Sequence, residues 1–310
     1  MIQRRGIVLT PDDLIEQWIE WLGIAELNVL GLHGNIDKLI EFVHSEKGYN
    51  FLSRIQKLGI SVEFEIHAMS WLLPREEFQK HPEWFRMDVN KNRSPDGNFC
   101  PSNQEALNIV CYNASKLANI LVPTTNRYYL WQDDAKPWCF CSQCKNLSPS
   151  DQNLMTMNAI VKYLQKDNPQ ATLSYLAYLD TLDSPQIIKP EEGIFLEFAP
   201  IKRQFDKPLQ DRNVTENFEH VIKLERLIEC FGIRNAQVLE YWLDASLFSQ
   251  WKRPVKKIPF DRNIISSDID FYARKGFQSI TSFGVYLDTE YVNRYGIPPV
   301  AEYGTILKNL

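Results

Sequence analysis

The sequence has no long apolar run, no basic run and no glycine-rich phosphate motif after its first predicted strand. No apolar stretch approaches about 18 residues and no apolar segment follows Met1, so we expect neither a membrane-spanning helix nor a signal peptide. The absence of a basic run disfavours nucleic acid as a partner, and the missing phosphate motif disfavours a dinucleotide-binding fold. We therefore expect a cytoplasmic protein with no membrane partner.

Histidine is scarce as well. The chain has five histidines and no H-x-H pair, which weakens the alternative of a metal-dependent hydrolase with His and Asp ligands at strand ends. Six cysteines in an intracellular chain predict free thiols or metal ligands rather than disulfides. The net charge of −5 is mild and fits a neutral or weakly charged substrate. A homo-oligomer is compatible with this composition, which does not define the oligomeric state.

Short strand-like segments alternate with helical patterns along the chain. Because consecutive parallel strands need a crossover, this alternation predicts a parallel α/β sheet. Eight units in 310 residues favour a closed (β/α)8 TIM barrel over an open sheet. No linker divides the chain, so we expect residues 1–310 to form one glycoside-hydrolase-like catalytic domain. The predicted strands are 6–10, 27–33, 60–68, 127–132, 172–179, 194–199, 236–242 and 279–286.

The predicted connection after the third strand is irregular. Residues 69–104 are rich in Trp, Pro and Asn, and long loops without structure of their own tend to be functional. In a TIM barrel this loop lies on the face that carries the active site. Elsewhere apolar residues recur at helical spacing. Ser150 is the expected N-cap of the predicted helix 152–165. The predicted helices are 12–21, 37–44, 49–58, 105–121, 152–165, 217–230 and 268–275.

Two adjacent carboxylates follow the fourth predicted strand. Asp133 and Asp134 stand in the segment LWQDDAKPWCFCSQC, residues 130–144. Residues at the carboxyl ends of TIM-barrel strands form the active site, so we expect at least one of the two to be catalytic. Helix capping or loop stapling by the pair is the alternative.

Alternation along other strands predicts further acids inside the barrel. On the third strand, Glu63, Glu65 and His67 share one face, opposite an apolar face that should meet the helices. Glu197 and Glu240 alternate with apolar residues on the sixth and seventh strands. We expect Glu65, His67, Glu197 and Glu240 to converge at the barrel mouth with at least one member of the Asp pair. Hydrogen-bonded barrel lining without a chemical role is the alternative for the glutamates.

Glycoside hydrolases commonly use two catalytic carboxyl groups on opposite sides of a cavity. The fourth and seventh strands lie across a barrel from each other. We therefore assign Asp134 or Asp133 as the general acid and Glu240 as the nucleophile or base. No cofactor is expected for this chemistry.

Sugar binding is assigned to side chains near the same strand ends. Aromatic rings pack against sugar C–H faces, and His33 or His67 could hydrogen-bond to a substrate hydroxyl. Core packing of the aromatic residues, structural roles for the histidines and a loop salt bridge for Arg203 are the alternatives. The expected substrate-binding residues are His67, Glu65, Trp71, Trp131, Tyr178, Glu197, Arg203 and Trp242.

A C-x-C-x2-C thiol cluster lies just beyond the Asp pair. Cys139, Cys141 and Cys144 could ligate zinc, which takes four tetrahedral ligands, and Cys100 in the neighbouring long loop could be the fourth. A structural zinc is one interpretation, and free thiols that pack the loop are the other. No Cys/His signature of a nucleophilic cysteine is present.

Several unusual motifs occur together and in order. They resemble a bacterial domain-of-unknown-function family of glycoside-hydrolase-like barrels, related to α-glucuronidases and hexosaminidases. The resemblance runs from about residue 5 to 290 and is most specific in 60–205. It implies a (β/α)8 barrel and carbohydrate processing. The motifs are HAMSWLLP (67–74), HPEWF (81–85), FCPSN (99–103), LWQDDAKPWCFCSQC (130–144), SDQNLMTMN (150–158), LAYLDT (176–181) and LEFAPIKR (196–203).

The sequence thus predicts a glycoside hydrolase with a small glycan or glycoside as substrate. A carbohydrate-binding barrel without catalysis and a metal-dependent hydrolase of another class are the competing hypotheses.

Overall fold

A computed structural model describes residues 1–309, which form a closed eight-stranded barrel. All neighbouring strands pair in parallel and follow one another in sequence order. The predicted TIM barrel is confirmed, and each predicted strand overlaps an observed one. The strands are β1 (Arg4–Leu9), β2 (Val29–Leu32), β3 (Ser61–His67), β4 (Arg127–Trp131), β5 (Thr172–Ala177), β6 (Ile194–Phe198), β7 (Gln237–Glu240) and β8 (Ser279–Phe283).

Helices surround the barrel and bury their apolar stripes against it. None of those in residues 1–309 has the length and apolar character needed to cross a bilayer. The helices are α1 (Gln17–Ile24), α2 (Ile36–His44), α3 (Glu46–Lys57), α4 (Met69–Leu72), α5 (Gln104–Ile120), α6 (Pro149–Asp167), α7 (Thr215–Phe231), α8 (Ala245–Phe248), α9 (Arg262–Arg274), α10 (Thr289–Tyr295) and α11 (Val300–Asn309).

Two helix starts differ from the prediction because polar side chains hold the chain differently. The first predicted helix begins five residues late, at Gln17, since Pro11–Asp13 is a 3-10 turn in which the Asp13 carboxylate accepts from Thr10. Helix α6 begins at Pro149. Its N-cap is Ser148, whose hydroxyl accepts from the Asp151 N–H, so the expected cap at Ser150 is wrong.

The connection between β5 and β6 has no α-helix. Residues 178–193 contain only a 3-10 turn at Leu179–Thr181 and otherwise run along α6. One carboxylate oxygen of Asp151 accepts from three successive backbone N–H groups, those of residues 186, 187 and 188, at 2.8–3.1 Å. This single side chain satisfies donors that a crossover helix would otherwise satisfy itself.

The long loop after β3 is ordered rather than structureless. It contains α4, 3-10 turns at Arg75–Gln79 and Pro82–Trp84, and antiparallel bridges that pair Phe85 with Phe99 and Met87 with Arg93. It therefore forms a small compact layer beside the β4 end of the barrel.

Acidic side chains occupy the barrel interior, as strand parity predicts. Glu63 accepts from Arg4 and Thr125 at 2.7 Å and from Tyr129 at 3.0 Å. Glu65, two residues along the same face, is fully buried, and neither of its carboxylate oxygens has a hydrogen-bond partner among the described residues. Burial and the nearby Glu197 raise the pKa of Glu65 well above its usual value, so its neutral form is favoured in the folded protein.

We predict that Glu65→Gln stabilises the protein increasingly as pH rises. The unfolded Glu65 carboxyl ionises near pH 4.5, whereas the folded one resists ionisation, so wild-type stability falls above that pH and a glutamine escapes the penalty. We expect a gain of about 1–3 kcal/mol at neutral pH, measured by urea unfolding at pH 5 and pH 8.

Glu63→Gln is the matched control on the same strand face. It removes a charge that Arg4 compensates, so it should lose about 2–3 kcal/mol. A Glu65→Gln variant less stable than wild type at both pH values would contradict the assignment of a neutral Glu65.

Candidate active site

A cavity of about 330 Å³ opens at the carboxyl-terminal ends of the strands. Its walls come from nearly every strand end, as in other TIM-barrel sites. Four of the residues expected at the site line it, namely His67, Trp131, Asp134 and Tyr178. The other lining residues are Thr10, His33, Gly34, Leu176, Ile201, Leu239, Tyr241, Asp244, Ser246, Trp251, Phe283 and Val285.

Trp131 packs against both histidines. Its ring centroid lies 5.2 Å from that of His67 and 5.6 Å from that of His33. The indole N–H of Trp131 points into the barrel and donates to Glu197 at 2.8 Å, so an interior carboxylate fixes the ring that faces the cavity. Gln237 donates to the other oxygen of Glu197 at 3.1 Å.

Both histidines are held by backbone carbonyls. The Nδ1 atom of His33 lies 2.7 Å from the Glu65 carbonyl oxygen, and that of His67 lies 2.5 Å from the Gln132 carbonyl oxygen. A carbonyl only accepts, so Nδ1 carries the proton and Nε2 is left as the acceptor of each ring. Burial and the neighbouring His67 lower the pKa of His33 to about 4, which keeps this ring neutral near pH 7.

Asp134 is the exposed member of the Asp pair and lies on the cavity wall. It follows β4 directly and is succeeded by Ala135 in a left-handed conformation (φ 48°), which turns the chain away from the barrel. Burial and then the nearby Asp134 carboxylate raise the pKa of Tyr178, which lines the same cavity.

Asp244 is a second cavity carboxylate that the sequence analysis missed. It is 5% exposed and N-caps α8, where one oxygen accepts from the Ser246 hydroxyl at 2.5 Å and from the Ser246 and Leu247 N–H groups. Burial raises the pKa of Asp244 to about 6. It follows β7 by four residues, so the strand-end rule that selected Asp134 would also have selected it.

Tyr241, Phe283 and Trp251 were also missed. The first two rings stack at 5.4 Å on the cavity wall. Trp251 stands at the rim with 62% of its surface exposed, and both Trp251 (φ 55°) and the preceding Gln250 (φ 56°) adopt the left-handed conformation. A large exposed ring in a strained loop is typical of a ligand site, but no sequence pattern signals such a conformation.

Glu240 does not reach the cavity, which corrects its expected position. Residues 237 and 239 face the barrel axis, so Glu240 faces the helices. There it accepts from Arg203 at 2.8 Å and from Tyr272 at 2.6 Å, and Arg203 also pairs with Asp268 at 2.8 Å. The expected roles of Glu240 in catalysis and of Arg203 in substrate binding therefore give way to a buried ion cluster between barrel and α9.

Trp242, Trp71 and Asp133 also lie away from the cavity. The Trp242 indole donates to Asp268 at 3.3 Å, and Trp71 packs against the main core. Asp133 is buried, where it forms an ion pair with Arg75 and accepts from the backbone of residue 70 at 3.0 Å. The loop-stapling alternative is thus the correct description of Asp133, since its charge is committed to the long loop.

Glu65 and Glu197 lie below the cavity rather than on its wall. The barrel-lining alternative describes both, because Glu197 holds Trp131 and Gln237, and Glu65 is enclosed. They do not contact the space that a substrate would fill.

The four expected metal ligands come together in space. The Sγ atoms of Cys100, Cys139, Cys141 and Cys144 all lie within 4.8 Å of one another, and all four residues are buried. Within residues 1–309, this is the one group of three or more His, Cys, Asp or Glu ligand atoms close enough for a metal ion. It lies outside the cavity walls.

The fold and the position of the cavity define a TIM barrel with a site at the carboxyl ends of its strands. The chain belongs to the DUF4838 family, described as a domain of unknown function, whose model matches residues 37–297. The predicted resemblance to such a family is confirmed. No curated protein matches this chain.

Two solved glycoside hydrolases share the fold. Gan42B, a GH42 β-galactosidase, is 13% identical with a TM-score of 0.57, and the match covers 99% of this chain and 56% of that one. A GH20 catalytic module of the pneumococcal exo-β-D-N-acetylglucosaminidase StrH is 10% identical with a TM-score of 0.52, over 99% of this chain and 83% of that one. This chain thus spans little more than half the length of Gan42B, and at such identities the likeness describes the fold alone.

We predict that Glu240→Gln lowers stability. The substitution keeps the shape of the side chain but removes the charge that Arg203 and Tyr272 bind, at a cost of about 2–3 kcal/mol in urea unfolding. Glu225→Gln, which breaks the exposed ion pair with Lys275, is the control and should change stability by less than about 1 kcal/mol. Equal effects of the two substitutions would contradict a buried structural cluster.

Proposed function

We propose that this protein is a glycoside hydrolase in which Asp134 and Asp244 are the catalytic carboxylates. The observation that carries the proposal is that both carboxylates line the same cavity at the carboxyl ends of the strands. Paired carboxyl groups around a sugar-sized cavity supply the two functions that glycosidic bond cleavage needs. The fold likeness to glycoside hydrolases is consistent with this proposal.

The two carboxylates differ in environment, which suggests a division of roles. Asp244 is buried and has a pKa of about 6, so it keeps its proton to a higher pH than an ordinary aspartate and suits the general acid that protonates the leaving oxygen. Asp134 is exposed on the cavity wall, so it suits the nucleophile or the base that activates water. This assignment replaces Glu240 and gives Asp134 the role expected of Glu240.

Aromatic rings and imidazoles would hold the sugar. Trp131 and Tyr241 offer flat apolar surfaces inside the cavity, and Trp251 offers one at the rim. The Nε2 atoms of His33 and His67 can accept from sugar hydroxyls. A volume of about 330 Å³ lies at the lower end of small-ligand sites, about 300–1,000 Å³, and fits a short glycan or glycoside.

The charge of the cavity favours a neutral sugar. Its lining residues in the described chain include Asp134 and Asp244 but no arginine or lysine. The low pKa of His33 removes one potential cation. A uronic acid carboxylate would therefore enter without a partner and against like charge.

We predict that Asp134→Asn and Asp244→Asn each reduce kcat/KM on glycosides by about 10²–10⁴-fold, because each removes an acid–base or nucleophilic group. Asparagine also N-caps helices, so Asp244→Asn preserves the start of α8. The loss in Asp244→Asn should be greatest for alkyl glycosides and small for aryl glycosides with acidic phenols, which leave without protonation. Its pH profile should also lose the decline in activity above about pH 6.

Glu240→Gln is the control for these variants. It should retain near wild-type turnover at a temperature where it is folded, because Glu240 faces the helices. Wild-type rates in both aspartate variants, or loss of turnover in folded Glu240→Gln alone, would refute the assignment.

We predict a preference for neutral over anionic sugars. With aryl hexosides, N-acetylhexosaminides and uronides of the same aglycone, kcat/KM for the best neutral substrate should exceed that for any uronide by at least about tenfold, since an unpaired charge costs more than 1.4 kcal/mol. A uronide as the best substrate would contradict the reading of the cavity charge.

A carbohydrate-binding barrel without turnover is the second candidate. It is favoured by the mainly apolar and aromatic wall and by the fact that only one of the three expected catalytic acids reaches the cavity. It predicts sugar-dependent thermal stabilisation in wild type that persists in the Asp134→Asn, Asp244→Asn double variant, with no product from any glycoside. The third hypothesis, a metal-dependent hydrolase, gains no support, because the clustered ligand atoms of residues 1–309 lie away from the cavity.

A further inference from the structure

The four clustered thiols have the spacing of a tetrahedral metal site. The Sγ atom of Cys100 lies 3.7 Å from that of Cys141 and 4.0 Å from that of Cys144. Four sulfurs around a zinc ion at about 2.3 Å would be separated by about 3.8 Å. All four cysteines are free thiols at separations far beyond an S–S bond.

The surroundings of the sulfurs are polar. The Ser102 hydroxyl lies 3.1 Å from the Cys144 sulfur and 3.5 Å from that of Cys141, and the Met87 N–H donates to Cys139 at 3.4 Å. The Arg93 guanidinium lies within interaction range of the cluster. Donors and a cation around sulfur suit thiolates that ligate a metal, whereas thiols that merely fill a core are surrounded by apolar groups.

We propose that Cys100, Cys139, Cys141 and Cys144 bind one zinc ion that joins the loops after β3 and β4 at the barrel mouth. A closed set of four sulfurs leaves no open position for a substrate, so the site is structural. Zinc is favoured because tetrahedral thiolate sites select it among the common divalent metals, a single iron ion being the other occupant of such a set.

One of the two joined loops, the loop after β4, carries Asp133 and Asp134. Cys100 lies at the end of the loop after β3, and the other three ligands lie in the loop after β4. Between the ligands and Asp133, the Asn98 side chain accepts from the Asp133 N–H at 3.1 Å and donates to the Lys136 carbonyl at 3.1 Å. The zinc would thus fix the far end of the short segment that presents Asp134 to the cavity. The metal site itself does not depend on the proposed glycosidase activity.

Metal analysis of the full-length protein tests the proposal. Protein purified without chelator from zinc-containing medium should carry one zinc per chain by mass spectrometry. Its clustered thiols should react with a thiol reagent only as a mercurial releases the metal. Cys100→Ser should lower the zinc content at least about tenfold, whereas Cys230→Ser, a thiol on α7 outside the cluster, should leave one equivalent. Cobalt-substituted protein should show the intense visible absorption of tetrahedral thiolate ligation.

Folded protein without metal, whose four thiols react at once, would overturn the proposal, and one equivalent of iron would overturn the choice of zinc. Hydrogen exchange tests the role of the site and does not require a folded variant. Release of zinc from wild-type protein should increase exchange at least about tenfold in peptides covering 84–100 and 133–148, while β6–β8 keep their protection. Unchanged exchange in those two segments would refute the joining of the loops.

Discussion

Parity along the barrel strands decides which of their polar side chains face the barrel axis and which face the helices. Successive residues of a strand face the barrel axis and the helices in turn, so one position separates the interior from the outer layer. On β7, Gln237 belongs to the interior network and Glu240 to the cluster around Arg203. Because the barrel is closed, each strand pairs with two neighbours, and these pairings fix which of its residues face the axis.

The interior connects the barrel to the cavity above it. Glu197 binds the Trp131 indole, and Trp131 packs against the two histidines whose Nδ1 atoms are held by backbone carbonyls. The cavity floor is thus oriented from below by buried polar groups, while the Asp133 ion pair and the thiol cluster orient the wall carrying Asp134 from the side. A site held from two directions loses little conformational entropy when a ligand binds.

Much of the fold could be predicted because its signals are local. Strands such as ISVEFEIHA and TLSYLAYL are short runs that bury both faces, and the helices between them show apolar residues at regular spacing. The position of Asp134 followed from strand order alone. The encounter of Cys100 with the C-x-C-x2-C motif also followed from order, because the loops after adjacent parallel strands are neighbours.

The position of Glu240 could not be read in this way. The sequence suggests that Leu239 and Tyr241 face the helices, yet both line the cavity. The acid between them, Glu240, is stabilised by Arg203 and Tyr272 from distant segments of the chain. Alternation assigns the two faces of a strand only when the orientation of one residue is known, and on β7 that residue is Gln237. Asp244 and Trp251 depend on loop geometry beyond the strand, where no periodicity operates.

The left-handed backbone conformation of Gln250 and Trp251 bears on which substitutions the rim of the cavity can accept. Two such residues that are not glycine cost about 1–2 kcal/mol each. Glycine at position 250 would relieve part of that cost and raise the thermal stability. It would also increase the conformational freedom of the neighbouring Trp251 ring. Any function that needs a fixed Trp251 ring would therefore oppose this stabilising substitution at position 250.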